Sequence, residues 1–262
     1  MSRDRIDARS AERGCILLIR PETESRQLAQ ALAPLAADVI VFPTLEIRPL
    51  DPGQPALACI DTLERYALAV FVSVNAVRCG LALIRARRAW PSSTRVAAVG
   101  AATAQALAEA GFEDVVTPES GHDSEALLVH PALREVRDAR ILLVRGVGGR
   151  EHLADALRAR GAQVDYLEAY RRALPRYDSV PVRRLLADGR VRAVVAASAE
   201  GVGNLLQLLD EDAGDIVRRV PLLVHHPRIA AAAQALGFTD VRLVAADACA
   251  LLPALRACLT QP

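Results

Sequence analysis

Short apolar runs alternate with longer amphipathic stretches along most of the chain. The apolar runs are uninterrupted at 16–19 and 141–144, which is typical of strands covered on both faces. The predicted strands are 15–20, 38–42, 68–72, 95–99, 114–117, 140–145, 163–167, 192–196, 221–224 and 240–244. Predicted helices lie between them, for example at 25–35, 101–110, 149–160 and 230–236. This alternation predicts an α/β fold of parallel sheets flanked by helices.

The second half of the chain repeats the pattern of the first. ILLIR and AVFVS, which end at Arg20 and Ser73, correspond to ILLVR and VVAAS, which end at Arg145 and Ser198, 125 residues later. GFEDV at 111–115 corresponds to GFTDV at 237–241 at an offset of 126. Three segments in the same order predict two similar lobes.

Two proline-containing stretches, 43–50 and 168–175, fall at equivalent points of the two repeats. We expect them to join the lobes as a two-stranded hinge with a cleft between the lobes, where ligands are usually bound.

The composition narrows the chemistry that this chain can perform. All 32 basic residues are arginine, which excludes a Schiff-base lysine, a pyridoxal phosphate lysine and a Walker lysine. A net charge of +1 and an aromatic content of 3% argue against nucleic-acid and membrane partners. An anion site must therefore use arginine side chains, backbone N–H groups and hydroxyls.

Targeting signals and metal ligands are also not expected. The five cysteines form no CxxC pair, which predicts free thiols in a reducing cytoplasm. Residues 1–13 are polar and charged, so we interpret them as a disordered tail rather than a secretory signal, and no apolar run reaches membrane-spanning length. The His225-His226 pair has no acidic or cysteine partner at ligand spacing, so no metal site is predicted.

Loops that follow the predicted strands combine small residues with a hydroxyl, an amide or an arginine. In a parallel sheet these loops share one edge, and each opens a helix whose first N–H groups favour an anion. The residues expected to contact an anionic ligand are Arg20, Ser73, Asn75, Thr103, Arg145, Gly148, Gly149, Arg150, Ser198 and Arg228. For Ser73, Thr103 and Ser198 taken singly, helix capping is an equally good interpretation.

Two features admit competing interpretations. The glycines at 146–149 follow a strand and precede a helix, as in a dinucleotide loop, but Glu151 stands where the third glycine is required, which disfavours a nicotinamide-dependent oxidoreductase. Tyr170 lies on the second connection, where it is either a proton donor facing the cleft or a packing residue. Tyrosine side chains ordinarily have a pKa of about 10 and so hold a proton at neutral pH.

Taken in order, these segments resemble the uroporphyrinogen-III synthase family. The resemblance rests on ILLIRP at 16–21, FPTLEI at 42–47, FVSVNAV at 71–77, VGAATAQAL at 99–107 and ILLVRGVGGREHLADALRARGAQV at 141–164, followed by Tyr170-Arg171. The chain departs from the family where His225-His226-Pro227-Arg228-Ile229 replaces the second G-x-x-T-A element, so a threonine is absent there.

The resemblance implies an activity. Hydroxymethylbilane would be the substrate, and a cytoplasmic, monomeric hydro-lyase of haem and sirohaem biosynthesis would close it to uroporphyrinogen III without metal or organic cofactor. Tyr170 would donate the proton. The lobes would comprise residues 1–46 with 172–262, and residues 47–171. The alternative from another class is a non-catalytic two-lobed protein that closes on a small anion.

Overall fold

The computed structural model describes residues 14–35, 37–118, 124–149, 151–245 and 247–260. The tail predicted at 1–13 and the predicted ligand contact Arg150 lie outside these residues. The described chain forms two compact units. The first contains the described residues up to Glu46 and from Ala173 onward, and the second is Ile47–Arg172.

Strands and helices alternate along the chain. The strands are β1 (Cys15–Leu18), β2 (Asp38–Val41), β3 (Glu46–Pro49), β4 (Leu68–Phe71), β5 (Arg95–Ala98), β6 (Val115–Val116), β7 (Arg140–Gly146), β8 (Gln163–Ala173), β9 (Val191–Ala196), β10 (Leu222–Val224) and β11 (Val241–Leu243). The helices are α1 (Glu22–Ala31), α2 (Gln54–Asp61), α3 (Val74–Arg85), α4 (Ala101–Glu109), α5 (Ser124–Leu128), α6 (Pro131–Arg134), α7 (His152–Ala159), α8 (Val180–Ala187), α9 (Ala199–Leu208), α10 (Glu211–Val217), α11 (Pro227–Ala235) and α12 (Ala248–Thr260).

Each unit is built on one sheet. The first unit has the strand order β11-β10-β9-β1-β2, and all four neighbouring pairs are parallel. The second has the order β3-β8-β7-β4-β5-β6, in which the pairs from β8 to β6 are parallel. No helix among the described residues combines the length and apolar character needed to cross a bilayer.

The strands with uninterrupted apolar runs, β1 and β7, are buried on both faces, which confirms the prediction for them. In β1, Leu17 belongs to the hydrophobic cluster on one face, and Ile16 and Leu18 belong to the cluster on the other. In β7, Leu142 and Leu143 divide between two clusters in the same way. Successive side chains of a strand point to opposite faces, so a strand that is covered on both faces, such as β1 or the middle of β7, is apolar along its length.

The predicted strands are all present, and their ends agree to within two residues except in β8. The two stretches expected to be connections both contain strand: β3, which was not predicted, covers half of the first, and β8 continues into the second as far as Ala173. Prolines at 43, 49 and 175 indicated loops, but β3 is an edge strand and ends at Pro49, where a missing N–H is tolerated. The hinge itself stays a prediction.

The helix starts also differ from the sequence-based bounds. α1 and α11 begin three residues earlier than predicted, at Glu22 and Pro227. Proline suits the first turn of a helix, where its missing N–H would have no partner. α7 begins at His152 rather than at Gly149, because the glycines form a separate loop.

The internal repeat corresponds strand for strand to the two sheets. At the repeat offset, β1 and β2 correspond to β7 and β8, whereas β4, β5 and β6 correspond to β9, β10 and β11. The order β2-β1-β9-β10-β11 in the first unit therefore equals β8-β7-β4-β5-β6 in the second. Each unit combines the first two strands of one repeat with the last three of the other.

Thr44 connects the end of β2 to α9 in the first unit. Its side chain is fully buried, and Oγ1 lies 2.8 Å from the Gly201 carbonyl oxygen and 3.2 Å from that of Ile19. The Asn204 amide donates to the Thr44 carbonyl at 2.9 Å. The Thr44 hydroxyl therefore lies within hydrogen-bonding distance of carbonyl groups from two separate chain segments, the end of β1 and the start of α9.

Substituting Thr44→Val keeps the shape of the side chain but removes the donor to the Gly201 carbonyl. We expect the free energy of unfolding, measured with urea, to fall by about 1–3 kcal/mol, the cost of a buried group without its partner. The control is Thr62→Val, since that hydroxyl donates to the Ala58 carbonyl at an exposed position and should matter less. Equal losses in both variants would contradict this account.

Candidate functional site

The loops after the strands of the second unit meet at the carboxyl edge of its sheet. β8, β7, β4 and β5 are neighbours and run parallel, so the residues that follow them lie at one edge. Ser73 follows β4 and begins α3, where its Oγ accepts a hydrogen bond from the Ala76 N–H at 3.1 Å. The capping interpretation of Ser73 is therefore correct, but capping is not its only contact.

Tyr170 lies beside Ser73. Its side chain is 3% exposed, and its hydroxyl is 3.0 Å from Ser73 Oγ, a distance at which either group can donate. The ring packs on Gly146, its partner in the β7–β8 register, where a Cβ atom would lie 2.7 Å from the ring. Glycine is required at this position because the tyrosine ring occupies the space of a side chain.

Arg145 braces the glycine loop, which we define as residues 146–149. Its Nε donates to the Gly146 carbonyl at 3.2 Å, its Nη2 to the Gly149 carbonyl at 2.8 Å and its Nη1 to Glu151 Oε1 at 2.8 Å. Only 5% of the residue is exposed. The guanidinium thus donates to two carbonyls of the glycine loop and to Glu151, whereas the sequence predicted a direct contact with ligand.

Glu151 and Tyr166 complete this brace. The Tyr166 hydroxyl donates to Glu151 Oε2, and the Arg145 guanidinium lies 4.6 Å from the centre of the Tyr166 ring. The hydrogen bonds from Tyr166 and Arg145 lower the pKa of Glu151, while burial and the bond to Glu151 raise the pKa of Tyr166. Glu151, the residue that argued against a dinucleotide loop, therefore accepts hydrogen bonds from Arg145 and Tyr166.

A cavity of about 370 Å³ opens at this edge. Its lining includes Tyr170, Arg145 and the glycine loop. It also includes Ser124 and Arg172, which the sequence analysis missed. Strand alternation would have indicated Arg172 only if the predicted strand had continued past residue 167, because Arg172 is two residues from Tyr170 and so points to the same face of β8.

Asn75 and Thr103 lie near this edge but do not line the cavity. Asn75 is in the first turn of α3, where its Oδ1 accepts a hydrogen bond from Arg78 at 3.3 Å. Thr103 is buried in the first turn of α4, whose N-cap is Gly100. The capping interpretation is thus wrong for Thr103.

Arg20, Ser198 and Arg228 belong to the first unit. Ser198 caps α9, accepting from the Gly201 N–H at 3.0 Å. Arg228 is exposed, and its backbone N–H donates to His226 Nδ1 at 3.1 Å. His226 therefore caps α11.

The first unit repeats the geometry around Tyr170 with a different residue. Ser198 corresponds to Ser73, and at the offset of 126 Thr44 corresponds to Tyr170, because the β7–β8 register shifts by one residue after Arg145. A Cβ atom on Gly201 would lie 3.1 Å from Ser198 Oγ and 3.2 Å from Thr44 Oγ1. Only the second unit carries a phenolic hydroxyl at this position.

A larger cavity of about 760 Å³ lies elsewhere in the second unit, and none of the predicted site residues lines it. There the Tyr66 hydroxyl and Arg140 donate to the same oxygen of Asp165 at 2.8 and 2.7 Å. Burial raises the pKa of Tyr66. Burial also raises the pKa of Asp165, but the bonds from Arg140 and Tyr66 outweigh it and the net shift is downward.

The fold and the site define a class: a duplicated, two-unit α/β protein with a tyrosine and arginine-lined cavity at one sheet edge. A family model described as "Uroporphyrinogen-III synthase HemD" matches residues 26–247. The chain belongs to the uroporphyrinogen-III synthase family.

Curated relatives match almost the whole chain. It is 32% identical over 247 residues to the uroporphyrinogen-III synthase of Escherichia coli K12, covering 92% of this chain and 99% of that protein. Identity to the enzyme of the same name from Salmonella typhimurium LT2 is 34%, with the same coverage.

Solved structures show the same fold. A mutant uroporphyrinogen III synthase from the extremely thermophilic bacterium Thermus thermophilus is similar with a TM-score of 0.60 at 21% identity, covering 95% of this chain and 100% of that chain. Uroporphyrinogen-III synthetase from Helicobacter pylori 26695 has a TM-score of 0.59 at 13% identity, covering 92% and 98%.

The two capping serines provide a matched test of the Ser73–Tyr170 contact. Ser198→Ala should lower the free energy of unfolding by about 1 kcal/mol, the usual value of a cap. Ser73→Ala should cost roughly 1 kcal/mol more, because it also removes the partner of the Tyr170 hydroxyl. Urea unfolding of Ser73→Ala, Tyr170→Phe and the double variant should give a coupling energy of about 0.5–1.5 kcal/mol. Equal losses for both serines with no coupling would contradict the contact.

Proposed function

We propose that this chain converts hydroxymethylbilane to uroporphyrinogen III. In this reaction the terminal hydroxymethyl group leaves as water and gives an azafulvene. The last pyrrole then attacks through its substituted carbon, forms a spiro intermediate and is released in inverted orientation as the ring closes. Family membership supports the proposal, and the observation that carries it is Tyr170, whose hydroxyl is hydrogen-bonded to Ser73 and which lines a cavity together with two arginines.

Tyr170 is the proposed proton donor. Loss of water requires a proton at the leaving oxygen, which a positioned acid supplies in the transition state. The hydroxyl of Tyr170 can offer its proton to the cavity when Ser73 donates to Tyr170 Oη. Ser73 Oγ already accepts from the Ala76 N–H, so its own proton is available for that bond.

Binding must hold a flexible, highly anionic chain in its reactive conformation. The substrate carries eight carboxylates, and guanidinium groups and N–H groups at helix starts bind such groups well. We propose Arg20, Ser73, Asn75, Thr103, Gly148, Gly149, Arg150, Ser198 and Arg228 as contacts. Arg145 contributes through the loop that it braces. Much of the rate enhancement would come from this orientation.

In this proposal the enzyme is a hydro-lyase that uses neither a metal nor an organic cofactor. Its chemistry needs only proton transfer and orientation, which tyrosine, serine and arginine side chains provide. The cytoplasmic location and the monomeric state stay predictions.

The product isomer tests the proposal directly. Purified protein supplied with enzymatically generated hydroxymethylbilane should release the type III isomer, separated from type I by chromatography. A heat-inactivated sample is the control, because the uncatalysed product is type I. Type I alone from the active sample would refute the proposal and favour the non-catalytic anion-binding protein.

Removing one hydroxyl tests the role of Tyr170. Tyr170→Phe should lower kcat by about 10²–10⁴-fold, the usual contribution of a general acid, with the fold retained. The control is Tyr66→Phe, which removes a hydroxyl bonded to Asp165 in the other cavity and should keep near-normal kcat. Normal kcat in Tyr170→Phe would show that the tyrosine is a packing residue.

A further inference from the structure

β8 carries two adjacent arginines after Tyr170 that face opposite ways. Side chains of a strand alternate, so Arg172 shares the face of Tyr170 and Arg171 has the other. The cavity agrees with this rule, because Tyr170 and Arg172 line it and Arg171 does not. The strand thus presents a phenol and a guanidinium together at the proposed reaction site.

The two arginines of the cavity differ in how far they are exposed. Among the described lining residues, the cationic side chains are those of Arg145 and Arg172. Arg145 is 5% exposed and donates to Gly146, Gly149 and Glu151. Arg172 is exposed at the cavity. Of the two, Arg172 is the one that an incoming anion can reach.

We infer that Arg172 binds a substrate carboxylate and thereby sets which pyrrole ring faces Tyr170. This inference rests on the proposed function. Residues two apart on one face of a strand are separated by roughly 7 Å, twice the rise per residue. That spacing is comparable with the width of one substituted pyrrole ring, whose hydroxymethyl and carboxylate groups both need partners.

The chemistry favours arginine for this task. A planar guanidinium binds a carboxylate through two parallel N–H bonds, which fixes orientation as well as position. A ring held in this way brings its leaving hydroxyl to the Tyr170 hydroxyl in a defined orientation. Arg172 is therefore a substrate-binding residue that acts on the reaction by orienting the ring.

Arg172→Gln and its neighbour Arg171→Gln form a matched pair. Each removes one positive charge from the same strand, and they differ in the face from which it is removed. In the full-length protein we expect Arg172→Gln to raise KM for hydroxymethylbilane about 10–100-fold, the range for losing a charged hydrogen-bonding partner. Arg171→Gln should change KM by less than about twofold, as expected for an exposed charge that contacts no substrate.

Two further measurements separate binding from folding. Arg172→Lys keeps the charge but not the planar fork, so it should recover part of the lost KM while leaving a defect. Urea unfolding midpoints of the three variants should match that of the unmodified protein. If Arg172→Gln is less stable, KM is compared at a temperature where all variants are folded.

The outcomes distinguish this inference from the proposed function. Failure of the unmodified protein to form the type III isomer would overturn both. If it forms that isomer and the two glutamine variants have the same KM, the assignment of Arg172 alone fails. A selective KM defect in Arg172→Gln that lysine partly repairs supports it.

Discussion

The pairing of β7 with β8 is the interaction on which the candidate site depends. The register shifts by one residue after Arg145, which sets Tyr170 opposite Gly146. The Val147 N–H then donates to the Tyr170 carbonyl at 2.9 Å, so the start of the glycine loop is attached to the tyrosine's own backbone. Because β7 and β8 are parallel to each other and to β4, both strands end at the edge of the sheet where Ser73 lies. The position of the phenol is thus a consequence of backbone hydrogen bonding.

Duplication produced this strand pairing twice, once in each unit, and the residues at the corresponding position have different roles. The corresponding pairs, Ser73 with Tyr170 and Ser198 with Thr44, occupy the same point of two sheets with the same strand order. In the second unit the large ring needs Gly146 to make room, and its hydroxyl is near a cavity. In the first unit the smaller Thr44 is buried and donates to main-chain carbonyls. The same position therefore holds a residue that stabilises the fold in the first unit and the proposed proton donor in the second.

A chain without lysine must divide its positive charges between structure and binding. Arg145 shows why arginine suits the structural part, since its fixed fork reaches two carbonyls and a carboxylate at once. A lysine ammonium, a compact point charge, offers no such planar match. The glycine loop closes around this fork, and a Cβ atom on Gly149 would lie 3.2 Å from Arg145 Nε. Arg172 on β8 is an exposed residue that lines the cavity at the same edge.

The sequence alone determined the α/β architecture, the duplication, the family resemblance and the candidate roles of Tyr170 and the glycines. The architecture follows from the apolar periodicity, which reflects the burial of each element. The duplication and the family resemblance follow from sequence segments that recur in a fixed order. Only the tertiary structure shows which side chains from distant parts of the sequence lie next to each other. Tyr170 and Ser73 are 97 residues apart, and only the order and register of the strands bring their hydroxyls together. Likewise, the partners of Arg145 and the lining of one cavity by Tyr170 and Arg172 are seen only in the folded chain, because the partner of a polar side chain depends on which strands become neighbours.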